Sequence, residues 1–147
     1  MIPRFAARPQ TSLTLSSPAF TPADGGAPIV SARTLLSLSA RDPVDSGGGA
    51  AGVHHTEYSL DGGAASPYTG VFGLPEGEHT LSYRSVDNVG NAETWRSAAY
   101  RSDATLAQSS LSWEGAPGSP TTETAFTLSA LDPASSGVAS GVRQILY

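Results

Sequence analysis

One short stretch occurs twice in this chain. Leu36-Ser37-Leu38-Ser39-Ala40-Arg41-Asp42-Pro43 returns as Phe126-Thr127-Leu128-Ser129-Ala130-Leu131-Asp132-Pro133, 90 positions on. Ser46-Gly47 then matches Ser136-Gly137 at the same offset. After a one-residue deletion, Gly52-Val53 matches Gly141-Val142 and Tyr58 matches Tyr147. Internal repetition constrains a fold more than composition does, because each copy has to be a structural unit or part of one. The spacing divides the chain into an N-terminal linker at 1–10, a first unit at 11–103 and a truncated second unit at 104–147. The chain stops inside an apolar stretch, Ile145-Leu146-Tyr147, and its first ten residues carry no apolar core of a signal peptide. Both features lead us to expect a fragment of a longer protein.

The pattern inside each copy is period two, which belongs to strands. Leu36, Leu38 and Ala40 share one face, and Phe126, Leu128 and Ala130 repeat it. In Val53–Leu60, the residues His54, Thr56, Tyr58 and Leu60 fall on one side, expected to be the core side. Asp61-Gly62-Gly63 offers residues that tolerate positive φ, a hairpin signal. Pro67–Leu74 reads as a short strand ended by Pro75-Glu76-Gly77. Glu78–Val86 alternates His79, Leu81, Tyr83 and Ser85 against Thr80, Ser82, Arg84 and Val86. Asp87-Asn88-Val89-Gly90-Asn91 is a tight turn with Asn and Gly at left-handed positions, and Ala92–Arg101 is the returning strand. About seven short strands with turns every 8–12 residues predict an all-β, immunoglobulin-like antiparallel β-sandwich, one complete unit plus a truncated second repeat. Leu36, Leu38, Tyr58, Leu81 and Tyr83 are its expected core, closed on Leu, Val, Ala and Tyr because there is no Cys pair.

Composition excludes several roles. The net charge is −5 and every basic residue is Arg, so nucleic acid is not an expected partner. No apolar run approaches the roughly 18 residues that span a bilayer, so membrane insertion is not expected. With no Cys, disulfides, thiolate metal sites and Cys nucleophiles are absent.

The runs Tyr58-Ser59-Leu60-Asp61-Gly62-Gly63, Tyr68-Thr69-Gly70 and Glu76 to Glu93 resemble a family of bacterial immunoglobulin-like tandem repeats of secreted and cell-surface proteins, known under the label of a spirochaete outer-membrane "β-barrel" repeat. Within them, Gly77, His79, Tyr83, Arg84, Asp87, Gly90 and Asn91 carry the specific spacing. The resemblance covers about residues 12–147. It implies a non-enzymatic extracellular module, a spacer, scaffold or adhesive stalk at the cell surface. Its partners would be neighbouring repeats of the same chain, with a glycan or a surface protein as further ligands. An accessory carbohydrate-binding module of a secreted polysaccharide-active enzyme is the alternative. The family places Pro soon after the position of Asp103, whereas Ala104-Thr105-Leu106 follows here, so a longer or looser link is expected.

The candidate chemistry is sparse. His54 and His55 are adjacent on a strand, where neighbours point to opposite faces, so they are not expected to chelate one metal; His79 is expected to pack at a strand start. Asp42, Asp45, Asp87, Asn88 and Asn91 lie in two loops expected at one end of the sandwich. That placement raises calcium, but turn-stabilising hydrogen bonds account for the same residues. Glu57 and Asp61 are a carboxylate pair by sequence only, and no nucleophile elbow appears. Trp95, Tyr100, Tyr68 and Trp113 are the aromatics available for a sugar-stacking platform. No catalytic, cofactor-binding or metal-binding residue is assigned, and no cofactor is expected.

Overall fold

The computed structural model describes residues 7–115, 118 and 120–147. Most of the N-terminal linker lies outside these residues. Its last part does not, since Pro9 is fully buried and Gln10 already opens a strand. Among the described residues the regular structure is all β. In chain order the strands are β1 (Gln10–Leu15), β2 (Ala19–Phe20), β3 (Ile29–Ser31), β4 (Leu36–Arg41), β5 (Val53–Leu60), β6 (Ser66–Pro67), β7 (Gly77–Asp87), β8 (Arg96–Asp103), β9 (Gln108–Trp113) and β10 (Phe126–Leu131). They form a β1-β4 ribbon, a β9-β10 ribbon and a six-stranded sheet ordered β2-β3-β8-β7-β5-β6. All pairings are antiparallel except β3 with β8.

The β1-β4 ribbon and the six-stranded sheet meet across one core, an arrangement consistent with a β-sandwich. Leu36 and Leu38 from β4 pack with Val30, Leu74, Leu81, Tyr83 and Tyr100. Leu13, Leu15, Tyr58, Leu60, Tyr68, Phe72 and Ala98 close its margins. The alternation along β7 explains the geometry: Leu81, Tyr83 and Ser85 are buried while their neighbours on the strand reach the other face. Four of the five expected core residues are buried, and Tyr58 is half-buried, its ring stacked on Phe72 at 4.5 Å between centroids. Phe72 at the margin of the cluster and the buried Ile29 of β3 join the Leu, Val, Ala and Tyr that the sequence pattern picks out.

The Asp61-Gly62 hairpin forms as the sequence implies. Both residues have positive φ, 52° and 73°, and Gly63 N–H donates to Leu60 O at 2.9 Å. The following segment departs from expectation, because Pro67–Leu74 is not one strand. Tyr68 N–H donates to Thr56 O on the six-stranded sheet, whereas Phe72 exchanges both backbone hydrogen bonds with Leu36 on the β1-β4 ribbon. The segment leaves one sheet and joins the other, so no single strand direction can satisfy it.

The same local bonds recur 90 residues on. Thr34 N–H donates to Ser31 O at 2.9 Å, and Thr124 N–H to Thr121 O at 3.1 Å. Ser31 N–H reaches Thr34 Oγ1 at 3.0 Å, and Thr121 N–H reaches Thr124 Oγ1 at 2.8 Å. Asp42 accepts from Gly52 N–H at 2.8 Å, and Asp132 from Gly141 N–H at 2.6 Å. The ribbons correspond as well: Leu13 faces Leu38 and Leu15 faces Leu36, while Leu111 faces Leu128 and Trp113 faces Phe126. This pairs Gln10-Thr11-Ser12-Leu13-Thr14-Leu15 with Gln108-Ser109-Ser110-Leu111-Ser112-Trp113, a match at an offset of 98 that a fixed 90-residue comparison passes over.

Candidate functional site

The two acidic loops do meet at one end of the molecule, as the sequence suggests. Asn88 makes the junction: its backbone N–H donates to Gly52 O at 3.0 Å, and its side-chain amide donates to Ala51 O and Gly52 O. Asn88 is thus a tie between loops rather than a left-handed turn residue; positive φ falls on Gly90. The carboxylates face backbone donors. Asp42 caps Gly52 N–H, and Asp45 caps Gly47 and Gly49 N–H at 2.9 and 3.1 Å. Asp87 accepts from Val89 and Asn91 N–H and from the Asn91 amide. Burial pushes the Asp87 carboxyl up, but its bonds to Asn91, Val89 and Gly90 outweigh this and hold it below its ordinary value. Among the described residues no group of three or more His, Cys, Asp or Glu is placed to hold a metal ion.

The histidine pair contradicts the expectation of opposite faces. The β5-β7 register slips between Val53 and His55, so two residues of β5 oppose one of β7. A bulge of this kind breaks the two-residue alternation. It leaves His54 exposed instead of on the core side, beside a half-buried His55. The two Nδ1 atoms stand 2.7 Å apart, with the rings nearly perpendicular at 81°. Beyond the bulge the inward alternation of β5 holds: Thr56 reaches the buried Ser85, and Tyr58 and Leu60 pack at the margin of the core.

A buried polar cluster escapes the sequence patterns altogether. Thr11 donates its N–H and its hydroxyl to Glu93, at 3.0 and 2.6 Å to Oε2. The Thr11 hydroxyl also lies 2.7 Å from Ser85 Oγ, which lies 2.8 Å from Thr56 Oγ1. Arg96 Nε closes the cluster at 2.7 Å from Glu93 Oε1. Thr11, Ser85 and Glu93 are all buried. The cluster joins β1 to β5 and β7 across the two sheets. Its carboxylate is occupied by donors on both oxygens, which suits a clamp and not a general base. The only signal in the sequence is a Glu beside the Asp87 turn, and nothing there says that it reaches back to β1.

The remaining candidates separate. Asp61 Oδ2 lies 2.8 Å from His79 Nδ1, and Asp61 Oδ1 accepts from Thr80 N–H at 2.7 Å. The bond to His79, reinforced by Thr80, holds the Asp61 carboxyl below its ordinary value. Glu57 instead pairs with Arg84 at 2.6 Å, so the two carboxylates serve different partners. Arg84 also lies over the Trp95 ring, 4.6 Å from its centroid. The four aromatics of the sugar platform are dispersed: Tyr100 is in the core, Tyr68 packs edge-on to Phe72, Trp95 is under Arg84, and Trp113 lies beside Phe126 on the other ribbon.

The link after Asp103 is tied down, not loose. Ala104 N–H donates to Glu76 Oε2 at 2.6 Å and Thr105 N–H to Asp103 Oδ1 at 3.1 Å. The second Asp103 oxygen accepts from Ser140 N–H at 2.6 Å. Val138 is fully buried. Gly77 has φ of 121°, and a Cβ there would lie 3.6 Å from Ser136 Cβ, so the 135–138 turn sits against the start of β7. A cleft of about 690 Å³ opens beside this joint, lined in part by Phe20, Ile29, Val30, Val142 and Arg143. Comparison with models of known families, with curated proteins and with solved structures finds no match.

Proposed function

We propose that this chain carries tandem immunoglobulin-like units that act as a non-enzymatic extracellular spacer, scaffold or adhesive stalk in a larger bacterial surface or secreted protein. The order β5-β7-β8 in one sheet, facing β1-β4 with Phe72 bonded at the edge of β4, supports the immunoglobulin-like topology. The recurrence of the Ser31–Thr34 and Asp42–Gly52 bonds at Thr121–Thr124 and Asp132–Gly141 supports a second unit.

The observation that carries the mechanical role is the joint. A link of four residues, 104–107, separates β8 from β9. Asp103 accepts from Thr105 within the link and from Ser140 beyond it, Glu76 holds the link's first N–H, and Val138 is fully buried. Fixing the exit of one unit against a turn of the next removes the rotational freedom that a flexible linker would allow. A stalk needs this property. The carbohydrate-binding alternative has weaker support, because its aromatics do not share a surface.

The absence of Cys allows a direct test. Spin labels on Ser66→Cys and Ser129→Cys report the separation of the two regions. A stiff joint gives one narrow distance distribution, which broadens in Asp103→Ala. A broad distribution in the otherwise unaltered chain would remove the spacer reading. Polysaccharide pull-down separates the alternative, since a spacer shows no saturable retention.

A further inference from the structure

The His54–His55 pair belongs to no part of the stalk. Neither ring is in the core cluster. Their contact exists because of the bulge at the start of β5, where the register with β7 slips. A hydrogen bond between Nδ1 atoms requires one ring to carry its proton on Nδ1 and the other to accept there. A shift of that proton to Nε2, through water, leaves both Nδ1 lone pairs free on the same side of the strand.

We propose that His54 and His55 chelate one divalent transition metal of square-planar preference, copper(II) before nickel(II), through their two Nδ1 atoms. Ligand type and the opening that the pair requires both bear on the metal. With metal–nitrogen bonds of about 2.0–2.1 Å, nitrogens at a right angle stand ~2.9 Å apart, and at a tetrahedral angle ~3.3 Å. The pair stands at 2.7 Å, so a right-angle site needs a smaller opening than a tetrahedral zinc site. Imidazole and square-planar geometry favour Cu²⁺ or Ni²⁺, and Cu²⁺ binds more tightly in the first-row order. No third His, Cys, Asp or Glu is placed to join them among the described residues. The other positions of the metal therefore belong to water or to a ligand from outside, and exposed His54 leaves that side open.

The full chain titrated with Cu²⁺ tests this, with electron paramagnetic resonance as the readout. One equivalent should bind saturably and show a signal from two nitrogen ligands. His54→Ala and His55→Ala should each weaken binding tenfold or more, because a chelate becomes a single ligand, while the circular dichroism spectrum stays unchanged. His79→Ala should leave the affinity as it was. Zn²⁺ should displace Cu²⁺ only in large excess. Full-strength binding in the double His54→Ala/His55→Ala variant would place copper elsewhere, for instance at the amino terminus, and overturn the proposal. Binding of Zn²⁺ as tight as Cu²⁺ would overturn the geometric argument, and so would the lack of a saturable site.

Discussion

The two ribbons of this molecule, β1-β4 and β9-β10, share a sequence pattern and a register but not an environment. Leu36 and Leu38 are 0% and 6% exposed, whereas their counterparts Phe126 and Leu128 are 53% and 40% exposed. Leu111 and Trp113, opposite them, are exposed too. The cover makes the difference. The first ribbon lies against Leu81, Tyr83 and Tyr100, and among the described residues the second has no comparable sheet across from it. Turn formation is local and strand pairing needs only the partner strand, so both ribbons achieve them. Burial is a property of what stands opposite, so the same apolar pattern yields a core in one place and an unpartnered face in the other.

Hydrogen exchange should break this comparison open most widely. Backbone amides at 79–86 should exchange only through unfolding of the core, and amides at 126–131 through local opening. A stability of several kcal/mol for the first region implies rates on the order of 10³-fold slower there, or more. Equal protection in both would mean that the β9-β10 face is covered after all.

Next in size is a pair of truncations. Leu81→Ala should cost about 2–5 kcal/mol, the scale of a cavity in a packed core. Leu128→Ala, on the exposed face, should stay within about 0.5 kcal/mol. Urea unfolding followed by circular dichroism measures both. A large loss for Leu128→Ala would show that the second ribbon contributes to the cooperative core.

The polar clamp gives a smaller contrast. Glu93→Ala strands the buried N–H of Thr11, whose hydroxyl keeps Ser85 as a partner, a loss of about 1–3 kcal/mol. Ser109 occupies the place of Thr11 in β9 and is exposed, so Ser109→Ala should lie within about 0.5 kcal/mol by the same measurement.

The smallest effect concerns acid. The Asp87 carboxyl is held below its ordinary value of 3.8. The stability it contributes is fully present above about pH 3.8 and is lost as pH falls through the lower folded value. Between pH 5 and 2 the urea midpoint should therefore fall more steeply for the parent chain than for Asp87→Asn. Identical slopes would mean that the turn bonds do not discriminate between the charged and neutral carboxyl.

Much of the fold was legible because it is written in local patterns. The alternation along β7 gave its inward face, Asp61-Gly62 gave the hairpin, and the copy of Leu36 to Pro43 at Phe126 to Pro133 gave the second strand of the second ribbon. Failures came where a contact between distant elements decided the outcome. The sheet switch at Phe72 depends on Leu36, a partner 36 positions away. The bulge at His54 depends on the β5-β7 register, which period-two counting assumes to be unbroken. The Glu93 clamp spans 82 positions to Thr11, and neither residue type is distinctive.

The sequence by itself determined that this chain makes short antiparallel strands with Asp- and Gly-based turns, and that the pattern of Leu36 to Pro43 returns at Phe126 to Pro133. These depend on φ/ψ preferences and side-chain periodicity within a few residues. Only the tertiary structure decided which apolar face is covered, that Asp103 and Glu76 tie the link, and that two neighbouring imidazoles meet on one side of a strand. Each of these depends on distances between segments far apart in the chain, and residue order carries no direct record of such distances.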